Sequence, residues 1–355
     1  MKWIGKMADK EKNKDPLACR LGKVGGQAVI EGVMMKSGDD MAIASRMPDG
    51  SIKLTKDKFV SVRKKYKILN IPLLRGIVNF VEMMILSYKT LSVSTEALGI
   101  DEEEEMSKFE KWLMKKFGKG IMTFIMVIST ILGLLLALLL FTVLPTATTA
   151  GLDWVVNKIS GGDFGIDGYW VSVIEGLLKI VIFVAYLSLV SLMNDIKRTF
   201  QYHGAEHKSV FCYEKGLELT VENVRKQSRY HPRCGTSFMF MMILLGIIIG
   251  IFLPSDNMLL RTGLKILLVP LSVGLGFEFI MLAGKHPNPV TNILSVPGLW
   301  VQRITTKEPD DKQIECAIAA IKAALPAEFP EEIKEEEQEV SEETDDKSLS
   351  DSENI

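Results

Sequence analysis

The chain has 355 residues, a formal net charge of −2, and 47% hydrophobic residues. Its apolar residues are gathered into long uninterrupted runs, which excludes an ordinary water-soluble core and points to an α-helical membrane protein. The charge is uneven: the segment from Ala327 onward holds thirteen acidic residues and two lysines, or −11, so residues 1–326 carry +9. A basic body of this kind suits an anionic membrane surface, and nothing in it suggests a nucleic-acid groove.

Residues 1–20 form a charged leader without the apolar core of a signal peptide, so none is expected. Residues 21–66 read as a small cytoplasmic β module, with reversals at Gly38-Asp39-Asp40 and Pro48-Asp49-Gly50. Gly25, Gly26 and Gly32 lie where glycine marks a bulge or the close approach of another backbone. Residues 67–100 are apolar on most sides but carry Arg75, Asn79, Glu82 and Lys89 on one helical stripe. They predict an amphipathic helix that lies in the membrane interface or docks beside the bundle. An acidic linker begins at Asp101.

Residues 120–305 predict a transmembrane domain of about four helices. Thr123–Val143 contains no charge and is long enough to cross about 30 Å of hydrocarbon. Further runs of similar character begin at Trp170, Ser237 and Thr262. Lysine and arginine collect before the first run (Lys111, Lys115, Lys116, Lys119) and in the loop 194–236, which places both termini on the cytoplasmic side. Cys19, Cys212, Cys234 and Cys316 all fall on that side, where thiols stay reduced and structural disulfides are not expected. The segment containing Trp300 suits headgroup level. Residues 306–326 predict a cytoplasmic helix capped by Asp310 or Asp311, with Ile314, Ile318, Ile321 and Leu325 on one face. Residues 327–355 have the composition of a disordered acidic tail.

The chemistry concentrates in "FQYHGAEHKSVFCYE", residues 200–214. If the chain remains helical beyond the second span, His203, Glu206 and His207 stand at i, i+3 and i+4 on one face, with Asp195 and Thr199 extending the stripe backwards. Two imidazoles one turn apart can grip a divalent metal, zinc above all, and a neighbouring glutamate can activate its water. The string H-x-x-E-H is also that of inverzincin peptidases. The spacing is equally that of a polar collar where a helix leaves a bilayer. A third ligand is offered by His231, Cys234, His286 or Glu278, the last because a carboxylate within a span needs a partner or a wet cavity. A closed set of His203, His207, His231 and Cys234 would be structural, leaving Glu206 outside the ligand sphere. Glu175 is expected to pair along its helix with Lys179, and Glu31 sits among glycines where it can reach the helical site if the β module packs beneath the bundle.

Four stretches, "VGGQAVIEGVMMKS", "YHGAEHKSVFCYE", "HPRCGTSF" and "TTKEPDDKQIECAIAAI", in this order resemble the YqhQ-like family of bacterial integral membrane proteins of unknown function. The resemblance spans roughly residues 20–325. It implies a multi-pass protein of the bacterial cytoplasmic membrane and supplies no activity. Two functions are therefore expected: a metal-dependent hydrolase with Glu206 as base and His203, His207, Glu278 and His231 as metal ligands, or a non-catalytic assembly or quality-control factor acting on other membrane proteins. A transporter is the weakest reading, since no inverted repeat is visible.

Overall fold

The computed structural model describes residues 20–99, 120–161, 168–253, 257–285 and 289–330. The leader before Arg20, the linker at Asp101, His286 and the tail beyond residue 330 lie outside the described residues. The chain is mostly helical, with one small antiparallel sheet near its start.

Four strands, β1 (Val24–Val29), β2 (Gly32–Ser37), β3 (Asp40–Arg46) and β4 (Ile52–Lys58), form a meander in sequence order. The expected turn residues do the reversing: Gly38 and Gly50 both have positive φ. Alternation along the strands feeds two cores. Val33, Met35, Ala42 and Ala44 face one side, while Met34, Met41 and Ile43 face the other. The sheet is therefore not a free-standing module. Its first face packs on helices α5 (Asn194–Glu214) and α11 (Asp311–Ala323), and its second on helix α1 (Leu74–Ala97), whose Leu86 is fully buried there.

Helix α1 docks on both the sheet and a later helix. Its C-terminal half covers the sheet, and its N-terminal half crosses helix α9 (Val269–Lys285) at a contact where a side chain on Gly76 would strike Phe277 and the Gly274 backbone. Its polar stripe is consumed by this docking: Glu82 accepts from Ser61 Oγ and the Val62 amide, Asn79 from Arg63, and Arg75 binds Glu278. The opposite face, with Phe80, Met84, Ile85 and Tyr88, stays exposed.

The first apolar run does not stop at Val143. Helix α2 (Gly120–Leu138) continues through a π turn at Leu139–Val143 into α3 (Leu144–Ile159). The wide turn just before Pro145 absorbs the missing amide that would otherwise break the helix. Helix α4 (Gly168–Val190) follows, and a break at Ser191–Met193 separates it from α5. Two helices, Ile128–Ile159 and Tyr169–Val190, are long and apolar enough to cross a membrane. Helices α8 (Met258–Leu267) and α9 are bent by 45° at their junction and make a third if they act as one span. Helix α7 (Gly235–Ile251) is apolar but has only 17 residues. Among the described residues, the four expected runs thus become two long helices, a bent pair and a shorter helix.

Short helix α6 (Val221–Arg225) and helix α10 (Pro289–Thr305) complete the chain up to α11. Asp310 caps α11 in a reciprocal capping box with Gln313. Ile314, Ile318, Ile321 and Leu325 are all buried.

Candidate metal centre

Helix α5 carries the H-x-x-E-H residues along its middle, between the sheet on one side and the start of α7 on the other. Two close approaches set the site. Gly204 lets the chain after α10 run against α5, since any side chain there would meet the Lys307 carbonyl, and the Lys307 amide donates to Phe200 O at 2.8 Å. That contact brings the Thr305 carbonyl over His203. On the far side, Gly26 of β1 lets Glu206 slide under the sheet: a side chain at Gly26 would lie 2.9 Å from Glu206 Cγ and 2.6 Å from Met34 O.

Both imidazoles are oriented by backbone. His203 Nδ1 lies 2.9 Å from Thr305 O, and His207 Nδ1 lies 2.6 Å from Arg229 O. A carbonyl only accepts, so each Nδ1 carries the proton and each Nε2 presents a free lone pair. This is the tautomer and support that a metal-ligating histidine needs. Cys234, the N-cap residue of α7, places Sγ 3.3 Å from His203 Nε2. One ligand atom each from His203, His207 and Cys234 lies within 4.8 Å of the others. Bonds of about 2.0 Å to nitrogen and 2.3 Å to sulfur in a tetrahedron separate ligand atoms by roughly 3.5 Å, so the three need only close slightly around an ion.

Glu206 stands beside this triangle. Its Oε2 is 3.5 Å from His207 Nε2, and the Gly26 amide bonds its carboxylate. Burial pushes its carboxyl above the usual carboxylate range, against the pull of His203, His231 and that amide.

The remaining expected ligands are elsewhere. Glu278 is bound bidentately by Arg75, with Nε at 2.6 Å from Oε1, and also faces the Leu73 amide. This carboxylate finds its countercharge where the packing of α1 on α9 delivers it. The His231 ring lies tilted 5.6 Å from the His207 ring, but its Nε2 faces Glu214 Oε2 at 3.5 Å, longer than a good hydrogen bond. Glu214 also accepts from the Gly22 amide at 2.8 Å and from Arg233. Burial opposes its charge, yet His231, Gly22 and Arg233 hold its carboxyl below the usual range. Glu31 reaches α5 as the packing beneath the bundle required, but it meets Arg198 and Tyr202, not the histidines. Its φ is 50°, a left-handed setting unusual for a side-chain-bearing residue.

One positioning residue escaped the sequence. Gln302, fully buried on α10, accepts from the His231 amide at 2.7 Å and donates to the His231 carbonyl at 2.8 Å, fixing the loop that carries Cys234. Its signal was a lone amide in the apolar stretch "GLWVQRI".

Residues 71–327 match a family described as proteins of unknown function, DUF1385. The chain is 38% identical over 301 residues to the uncharacterised protein YqhQ of Bacillus subtilis strain 168, covering 83% of this chain and 89% of that one. No solved structure matches.

Proposed function

The chain belongs to the DUF1385 family of proteins of unknown function, and for this member we propose a membrane-anchored, metal-dependent hydrolase. Its divalent ion is held by His203, His207 and Cys234 and faces Glu206. The observation that carries this reading is the paired imidazoles, each tied through Nδ1 to a main-chain carbonyl, with Nε2 of His203 beside the Cys234 thiol and Nε2 of His207 beside Glu206. Two nitrogens and one sulfur favour zinc. Three protein ligands leave a fourth position for water, and Glu206 is the group placed to take its proton.

Lysine and arginine distribution supports a four-span protein of the bacterial cytoplasmic membrane with both termini cytoplasmic. The metal centre then lies at the cytoplasmic face, next to the end of α4, where a substrate carried by the bilayer is within reach. The lipid bilayer is the primary partner.

A second reading rests on burial: His207 is 3% exposed, Glu206 6% and Cys234 8%. Such enclosure favours a metal that fastens α5 to α7 in an assembly factor acting on other membrane proteins. Metal analysis of the purified full-length protein tests the site. One equivalent of zinc, lost in His203→Ala, His207→Ala and Cys234→Ala, is expected. Metal retained by all three variants removes the site altogether. Glu206→Gln then separates the readings: an enzyme keeps its metal and loses hydrolysis of membrane-carried ester substrates, while an assembly factor keeps both its metal and its cellular role.

A further inference from the structure

The chain between the sheet and α1 leaves its large apolar side chains open. After β4, a short helix (Val62–Lys65) capped by Ser61 leads into a 3₁₀ turn (Lys67–Asn70). Along it Tyr66 is 50% exposed, Ile68 71% and Ile71 52%, and Lys65 and Lys67 alternate with them. The neighbouring cations are claimed by the fold: Lys64 donates to Asp39, and Arg63 to Ser61 Oγ and Asn79 Oδ1. Among the described residues Lys65 and Lys67 have no ion-pair partner, and Lys65 Nζ lies 5.3 Å over the Tyr66 ring.

The far end of this segment is fixed against membrane helices. The Leu73 amide donates to Glu278 Oε1 at 3.4 Å, and a side chain on Gly274 would lie 2.8 Å from the Leu73 carbonyl oxygen. Both contacts are on α9, in the bent pair Leu259–Leu267 and Val269–Leu282 that makes one candidate span. Glu278 stands one turn, about 6 Å of rise, before Leu282, at the end that the lysine and arginine distribution turns to the cytoplasm. A span ending there puts Leu73 just inside the hydrocarbon edge, and the six residues back to Lys67 reach no more than about 20 Å. The exposed row continues on α1 as Phe80, Met84 and Tyr88, successive turns of one face. The Phe80 ring lies 6.1 Å from that of Phe238 in the first turn of α7.

We propose that residues 65–71 and the row Phe80, Met84 and Tyr88 form the surface that seats the sheet on an anionic bilayer leaflet. Ile68, Ile71 and the α1 row enter the leaflet to the depth of an interfacial amphipathic helix, while Lys65 and Lys67 meet lipid phosphates by charge-assisted hydrogen bonds. Tyr66 suits the boundary, with an apolar ring and a polar tip. A bilayer is favoured over a protein partner because the surface is continuous with α7 and α9 and its rim is basic. The inference rests on the reading of the chain as a membrane protein and is independent of the metal centre, with which it shares no residue.

The test uses the full chain in nanodiscs of phosphatidylcholine and phosphatidylglycerol, with Cys19→Ser and one added cysteine carrying an environment-sensitive fluorophore. Cys212, Cys234 and Cys316 are buried. Leu177→Cys, exposed near the middle of the apolar helix Tyr169–Val190, serves as the membrane control. Lipids with a quencher on the acyl chain are expected to reduce emission at Ile68→Cys and Ile71→Cys at least about twofold, as they do at the control. Lys65→Glu combined with Lys67→Glu should remove at least about half of the quenching at Ile68→Cys, and should have no effect in pure phosphatidylcholine. The melting temperature should not change, because all four positions are exposed. Quenching at Leu177→Cys without quenching at Ile68→Cys and Ile71→Cys overturns the proposal and leaves the membrane reading standing, whereas no quenching at any position removes both. Emission that is blue-shifted yet unquenched at Ile68→Cys identifies a protein contact, such as a second copy of the chain, and overturns it too. Quenching indifferent both to the lysine reversals and to phosphatidylglycerol rejects anionic headgroups as the ligand, and the proposal with them.

Discussion

The thiol of Cys234 and the Nε2 of His203 lie 3.3 Å apart although the residues are 31 positions apart in the chain. The contact joins the middle of α5 to the N-cap residue of α7. It depends on the loop that also supplies the Arg229 carbonyl to His207, so one segment provides both a ligand and the orienting acceptor for another.

Ligand choice gives the first prediction. Cys234→Ser should reduce zinc retention by an order of magnitude or more, as expected when a soft donor is exchanged for a hard one. Glu278→Gln should leave metal content unchanged, because its partner is Arg75. Metal analysis after dialysis against a chelator compares them. Equal loss in both variants contradicts the assignment.

Glycine contacts give the second. Gly26→Ala forces its new methyl against Met34 O and Glu206 Cγ, and should cost about 1–3 kcal/mol. Gly25→Ala, one residue earlier with nothing within 4 Å, should change stability by less than about 1 kcal/mol. Thermal unfolding in detergent distinguishes the neighbours.

Gln302 gives the third. Removing its amide leaves the buried His231 N–H and C=O without their partner, so Gln302→Leu should destabilise by about 1–3 kcal/mol per group left unmatched. Zinc affinity should fall as well, because the loop that positions Cys234 loosens. A variant with unaltered unfolding and metal binding would show that the loop is held by other contacts.

The fourth concerns pH. Glu214 titrates below the ordinary carboxylate value in the folded protein, so its charge contributes stability above about pH 4.3. That contribution disappears as pH falls through the lower folded-state value. Glu214→Gln should therefore be less stable than wild type at neutral pH and converge with it in acid. Melting temperatures measured from neutral to acidic pH check this, and a constant gap between the two proteins rules it out.

Much of this was visible in the primary structure because its causes are local. Turn chemistry at Gly38-Asp39-Asp40 and Pro48-Asp49-Gly50 specifies the reversals of the meander, whereas the burial of the sheet on both faces came from its packing against α1, α5 and α11. The i, i+3, i+4 spacing puts His203, Glu206 and His207 along one side of any helix, and the uncharged run Thr123–Val143 specifies a helix long enough to cross hydrocarbon. What tertiary structure decided were the pairings between distant segments. Glu278 and Cys234 are both plausible ligands as isolated residues. The packing of α1 on α9 gives the carboxylate to Arg75, and the packing of α7 beside α5 gives the thiol to His203. Likewise Glu175 has a lysine one turn away in sequence, yet two cations from α8 reach it. A charge in a low-dielectric interior is claimed by whichever partner the fold brings within bonding distance, and sequence spacing constrains that only within a single helix.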